Sequence, residues 1–189
     1  MLLLIAGVTL WSLVHLFPSL YPSARERLIA RLGDGPYRGL FSLDIVIAIV
    51  LIVVGWRSAD VQPVYVAPLY GSVIVTALMF VSFLLFAGAS APGNLKRWLR
   101  HPMLTGTVVW SVAHLLANGD NRSIVLFGGI GLWAIVAMLT INRRDGARQR
   151  PPPVPLSRDA MTVAGTAIIF GIVLFLHRYL FGVSALPGF

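Results

Sequence analysis

Leu40-Phe41-Ser42-Leu43-Asp44-Ile45-Val46-Ile47-Ala48-Ile49-Val50-Leu51-Ile52-Val53-Val54-Gly55-Trp56 carries one charged side chain, Asp44, in an otherwise apolar run. At 1.5 Å per residue the run makes a helix of roughly 25 Å, close to the hydrocarbon thickness of a bilayer. Five more runs of this kind flank it: Leu2 to Phe17, Val64 to Ala89, Met103 to Ala117, Ser123 to Ile141 and Ala160 to Phe181. The pattern predicts an all-α integral membrane protein, a six-transmembrane helical bundle in a single domain over residues 1–189. Met103 to Ala117 is the shortest; Pro102 suits its first turn, and Leu95 to His101 is expected to be helical at the interface. Pro68 falls early in the third run, as a first-turn residue or a kink.

Composition says the same. Of the 189 residues, 57% are hydrophobic and 12% charged, about half the charge density of a soluble domain; mean hydropathy is +0.83. A net charge of +8 would point to phosphate binding in a soluble protein. Here the basic residues flank apolar runs, where they orient helices against lipid, so membrane lipids rather than nucleic acid are the expected partner. With no cysteine, disulfides, thiolate metal sites and covalent haem attachment are excluded. The first run lacks a basic segment before it and a small-x-small cleavage site after it, so it is read as a retained span.

Arg25, Arg27, Arg31 and Arg38, then Lys96, Arg97 and Arg100, then Arg143, Arg144, Arg148, Arg150 and Arg158 occupy alternate connections. Arg57, Arg122 and Arg178 are left for the other side. The asymmetry predicts both termini facing away from the cytoplasm. Arg150 to Pro155 reads as a stiff cytoplasmic linker.

All four histidines lie in or beside apolar runs, where an ionisable side chain marks a site. His101 and His114 are separated by roughly 20 Å of helix and cannot share a metal. Depth pairs His15 with His101, and His114 with His177. Thr107, Trp110, His114 and Asn118 recur at helical spacing and form one polar and aromatic face. Imidazoles on facing helices suit haem b, which needs only one or two; another metal would want a third ligand, preferably a carboxylate. Asp44 lies at the depth of His15 and is expected to anchor that imidazole, or Arg100, rather than to bind metal. The candidate cofactor residues are thus His114, His177 and His15 as iron ligands, with Trp110 and Asn118 beside them.

Trp11-Ser12-Leu13-Val14-His15-Leu16 matches Trp110-Ser111-Val112-Ala113-His114-Leu115 at four of six positions. A 3+3 inverted repeat and chance similarity both remain open. Gly128, Gly129 and Gly131, with Ala160, Ala164, Gly165, Ala167 and Gly171, are expected to bring helices close or to clear space for a flat macrocycle.

The segment Pro92-Gly93-Asn94-Leu95-Lys96-Arg97-Trp98-Leu99-Arg100-His101-Pro102, with Ala113-His114-Leu115-Leu116-Ala117-Asn118-Gly119-Asp120 and Arg143-Arg144-Asp145, resembles the NnrU family. Weaker likeness runs through His15, Arg31-Leu32-Gly33 and His177-Arg178-Tyr179. The resemblance implies a multi-pass protein of the bacterial inner membrane associated with nitrite and nitric oxide metabolism. The domain is also similar to 15-cis-zeta-carotene isomerase, a haem b enzyme, whose ligands would fall on His15 and His114. That pairing conflicts with the depth argument, and the partner of His114 stays open between His177 and His15. In activity, the resemblance implies isomerase-like or redox-related chemistry on a lipophilic small molecule or a nitrogen oxide. The alternative is a non-enzymatic factor supporting respiratory membrane proteins of denitrification. Arg100-His101-Pro102 with Gly106 also resembles part of a membrane methyltransferase signature, but its later acidic pair is missing.

Overall fold

The computed structural model describes residues 1–69 and 73–185. Among these, the long elements are all helices: α1 (Leu2–Leu20), α2 (Pro22–Leu32), α3 (Asp34–Ser58), α4 (Val73–Ser90), α5 (Leu95–Trp98), α6 (Pro102–Ala117), α7 (Asn121–Ser123), α8 (Gly129–Asp145) and α9 (Leu156–Phe181). A π turn, Ile124–Gly128, joins α7 to α8, so the pair forms one apolar rod, Asn121–Asp145. Five helices are long and apolar enough to cross a membrane: α1, α3, α4, the rod and α9. α6 is apolar but shorter, at 16 residues.

Several boundaries differ from those expected of the sequence. Val64 to Leu69 is not helical and Pro68 sits in a turn ahead of α4; part of the expected third span, residues 70–72, lies outside the described residues. Helix in α5 ends at Trp98, where Leu99 turns extended with φ −109° and ψ 133°. Pro102 opens α6 as expected. Pro18 lies inside α1, where a proline is tolerated near the end of an apolar helix.

The helices fall into two compact units. The first is Met1–Tyr65 with Gly119–Ala147; the second is Val66–Asn118 with the chain from Arg148 onward. In the first unit α1 is central, packed on α3 and on the rod. Glycines set the α1–α3 spacing. A Cβ on Gly7 would meet the Ile52 nitrogen at 2.7 Å, and the Cβ direction at Gly55 runs into the backbone of Leu3 and Leu4. Leu4 and Ala48 are fully buried there. Gly129 performs the same service toward Val8, whose Cγ1 would lie 2.6 Å from an added Cβ. Ser19 Oγ and Thr140 Oγ1 share a hydrogen bond of 2.9 Å between α1 and the rod.

In the second unit α4 packs on both α6 and α9. The buried hydroxyl of Ser82 donates to the Gly106 carbonyl across the α4–α6 contact at 2.9 Å, and Gly106 lets Phe86 lie against α6. Phe170 of α9 meets Phe80 and Phe83 edge-on, at 5.5 and 5.3 Å. The small residues of α9 do not bring helices together as expected. Ala160, Ala164 and Ala167 are exposed, and added Cβ atoms on Gly165 and Gly171 would meet nothing within 4 Å. Buried Thr166 and Phe170 carry the packing instead.

The proline-rich linker is docked rather than free. The side-chain amide of Asn94 donates to the Val154 carbonyl at 2.8 Å and accepts from the Val154 N–H at 3.0 Å. Arg97 Nε donates to the Pro151 carbonyl at 3.1 Å. Arg148 donates to the carbonyls of Trp98, Leu99 and Lys96, the orphan acceptors at the end of α5.

Replacing Gly55 by Leu should push α1 off α3 and cost about 1–3 kcal/mol or more, since backbone cannot yield as a side chain can. The same change at Gly165 should be near neutral. Thermal unfolding of the two variants in detergent checks the contrast.

Candidate functional site

In an α-helix the side chain at position i lies over the carbonyl at i−4, and a polar side chain within an apolar helix satisfies itself there when nothing else is near. His15 Nδ1 lies 2.8 Å from the Trp11 carbonyl oxygen, and His114 Nδ1 lies 2.9 Å from the Trp110 carbonyl oxygen. A carbonyl only accepts, so Nδ1 carries the hydrogen in both and Nε2 holds the lone pair. Each imidazole also faces the tryptophan one turn back: ring centroids are 4.1 Å apart for Trp11–His15 and 4.9 Å for Trp110–His114. The two copies of the hexapeptide thus build the same local geometry, one in each unit.

His177 satisfies Nδ1 differently. Its partner is the Val183 carbonyl at 2.8 Å, beyond the end of α9 where Gly182 takes the left-handed conformation. The Phe181 ring lies 4.8 Å from it. His177 belongs to the same unit as His114. His101 is the N-cap residue of α6, at the opposite end of that helix from His114.

Around His15 the first unit forms an aromatic box. Trp133 meets His15 edge-on at 5.2 Å and Trp11 at 5.9 Å, and Phe41 closes a third side at 5.8 Å. The indole nitrogens of Trp11 and Trp133 are buried without a hydrogen-bond partner. His15 Nε2 makes no hydrogen bond among the described residues. Asp44 does not anchor this imidazole, contrary to the expectation from its depth: the Trp11 carbonyl does, and Asp44 is exposed on α3.

The remaining residues of the polar face on α6 turn inward on their own helix. Thr107 Oγ1 donates to the Met103 carbonyl at 3.1 Å, and Asn118 Nδ2 donates to the His114 carbonyl at 2.9 Å, capping the end of the helix. Among the described residues no three histidine or carboxylate side chains converge on a metal-ion position.

Gly119 to Ser123 form a clamp in the first unit. The Gly119 carbonyl accepts from the Val64 and Tyr65 N–H groups at 2.8 and 3.1 Å. A Cβ direction at Gly119 runs straight into the Tyr65 carbonyl, so no other residue fits. Asn121 bonds the Gln62 and Asp60 backbone. Asp120 is the N-cap of the rod, accepting from the Arg122 and Ser123 N–H groups at 3.0 and 3.1 Å and from the Ser123 hydroxyl at 2.7 Å. Arg122 pairs with Asp120 at 3.6 Å and lies over the Trp56 ring, 4.6 Å from its centroid. Burial opposes the Asp120 charge, but the Ser123 hydroxyl and N–H, with Arg122, outweigh it and hold the carboxyl below its usual range. Burial, then the charge on Asp120, push the Tyr65 phenol up.

These features define a class: an all-α protein with apolar helices of membrane-spanning length, carrying a Trp-x-x-x-His pair in each of two units. The NnrU family model (NnrU protein) matches residues 3–185, nearly the whole chain, and the protein belongs to the NnrU family. No curated protein and no solved structure matches it.

Sequence reasoning placed His15, His114 and Trp110 on the right helices, whereas Asn118, expected on the same helix face, lies just past the end of α6 with φ −136° and ψ 122°. It missed the box formed by Trp133 and Phe41, because no local spacing links either residue to His15. The Asp120 cap was legible as an acidic residue ahead of an apolar run, with Ser123 three positions on.

Asp120→Ala should cost about 1 kcal/mol of stability through the lost cap. The lowered carboxyl fixes the sign of the pH dependence. The stabilisation from the Asp120 charge is complete above the ordinary value of 3.8 and is lost as pH falls through the lower native value. Asp120→Asn should keep the cap while removing this acid-dependent part, which acid titrations of thermal stability on both variants will show.

Proposed function

We propose that this NnrU-family protein is a six-span haem b protein of the bacterial inner membrane, with α6 as its sixth span and isomerase-like or redox-related activity. Its substrate is a lipophilic molecule or a nitrogen oxide. The observation that carries the reading is the state of the imidazoles. Metal-ligating histidines donate their second ring N–H to a carbonyl or carboxylate, which fixes the tautomer and raises the basicity of the ligating nitrogen. His15, His114 and His177 all hold Nδ1 against a backbone carbonyl, so each is set to ligate through Nε2. The donor set fits haem, which asks for one or two such nitrogens rather than three.

Haem b, when bound, would supply an iron able to exchange one electron and to take up a small ligand. The protein's own part is to fix ligand geometry and surroundings. His114 would be the anchoring ligand, with the Trp110 ring against its imidazole limiting rotation. His177 is the partner available in the same unit, and His15 is the partner that the likeness to the isomerase implies. Asn118 holds the end of α6, and with it the backbone that carries His114.

Absorption spectra of the purified protein test this. The protein from haem-replete cells should show a Soret band, and His114→Ala should abolish it or leave a five-coordinate spectrum. His177→Ala should perturb the same band if the pair lies within the second unit, and His15→Ala if it does not. His101→Ala should leave it unchanged, because His101 lies roughly 20 Å along the helix from His114. No Soret band, or one indifferent to His114, would sink the assignment and favour a cofactor-free support factor for respiratory enzymes.

The sidedness of the six spans is set by the basic residues. Reporter fusions after Arg38, Lys96 and Arg150 should read cytoplasmic. A fusion after Phe189, which lies outside the described residues, should read periplasmic; a cytoplasmic reading there would mean an odd number of spans.

A further inference from the structure

A cavity of about 700 Å³ opens at the arginine-rich end of the first unit, between the ends of α1 and the rod and the beginnings of α2 and α3. Two of its cations are already matched: Arg38 pairs with Asp34 at 2.8 Å and Arg144 with Asp145 at 2.7 Å. Arg25 and Glu26 are not. Arg25 lies over the Tyr37 ring at 5.6 Å, and neither it nor Glu26 forms an ion pair among the described residues. Ser42 and Tyr37 line the same space, and their hydroxyls make no hydrogen bond among the described residues. One guanidinium, one carboxylate and two hydroxyls at the cavity therefore make no ion pair or hydrogen bond to protein among the described residues.

We propose that this cavity binds the headgroup of a zwitterionic phospholipid bearing a primary ammonium, that is, a phosphatidylethanolamine. A guanidinium matches two phosphate oxygens in a plane, and hydroxyls add donors to the same anion. Glu26 accepts from the ammonium, which has three N–H groups to give. Pro18, Pro22 and Phe41 form an apolar wall, which suits the glycerol end and first methylenes of a lipid and has no use for a soluble zwitterion. The cavity also sits at the end of α1 and the start of α3, at the level where headgroups meet an apolar helix. An anionic lipid would leave Glu26 unmatched and repelled. A quaternary headgroup would give it no hydrogen to accept. The site stands independently of haem binding.

The test is lipid-dependent thermal stabilisation of the purified full-length protein in neutral detergent. Dioleoyl phosphatidylethanolamine, phosphatidylcholine and phosphatidylglycerol are added at equal mole fraction. Phosphatidylethanolamine should stabilise most. Arg25→Gln should weaken its effect about tenfold, as expected for losing the charge-assisted pairing with phosphate at a partly exposed site. Glu26→Gln should erase the preference over phosphatidylcholine, and Arg27→Gln, on the same helix but outside the cavity, should change nothing. Equal stabilisation by phosphatidylglycerol, or indifference to both Arg25→Gln and Glu26→Gln, would overturn the proposal. So would glycerophosphoethanolamine alone giving the full effect, since the site would then take a soluble zwitterion. Should Arg25→Gln misfold, loss of the headgroup preference in Glu26→Gln still decides the matter.

Discussion

A polar side chain on a helix that is apolar all round has no water to turn to, and its nearest acceptor is the carbonyl one turn back. Ser12 to Val8, His15 to Trp11, Thr107 to Met103, His114 to Trp110 and Thr166 to Thr162 all use it. Once satisfied locally, these residues need no partner on a neighbouring helix. That fixes the imidazole tautomer by a contact within one helical turn, while glycines, aromatic rings and a few hydroxyls such as Ser82 make the contacts between helices.

The glycines show how packing is then achieved. Gly7 and Gly55 let α1 and α3 approach backbone to backbone, and Gly129 admits Val8 between α1 and the rod. Small residues bring dispersion contacts close where burial of apolar surface supplies little drive. Added Cβ atoms on Gly165 and Gly171 of α9 would meet nothing within 4 Å among the described residues, so a small residue permits close packing without causing it.

Polar clamps at the helix ends complement this. Asp120 caps the rod and Arg122 reaches the end of α3, while Asn94, Arg97 and Arg148 bind the proline-rich linker to α5. Asp120, Arg122 and Arg148 satisfy backbone groups that a helix terminus leaves over, and Asn94 and Arg97 satisfy backbone of the linker itself. Outside the apolar spans, where water competes, it takes several such bonds acting together to hold a connection in place. The Asn118-Gly119-Asp120 run is accounted for in this way: a helix end, a close backbone approach and a cap succeed one another in three residues.

The sequence by itself determined the helical class, the apolar runs and the placing of three imidazoles on helices, because these depend on local spacing and on solvent. It also showed the repeated Trp-x-x-x-His segment, whose geometry needs only one helical turn. Tertiary structure alone decided that Trp133 and Phe41 surround His15, that Asp44 does not anchor it, that Val64 to Leu69 is drawn out of α4 to meet Gly119 and Leu116, and that Arg25 and Glu26 are left without an ion pair in one cavity. These outcomes depend on which residues distant in the chain come within a few ångströms, and no local period encodes that.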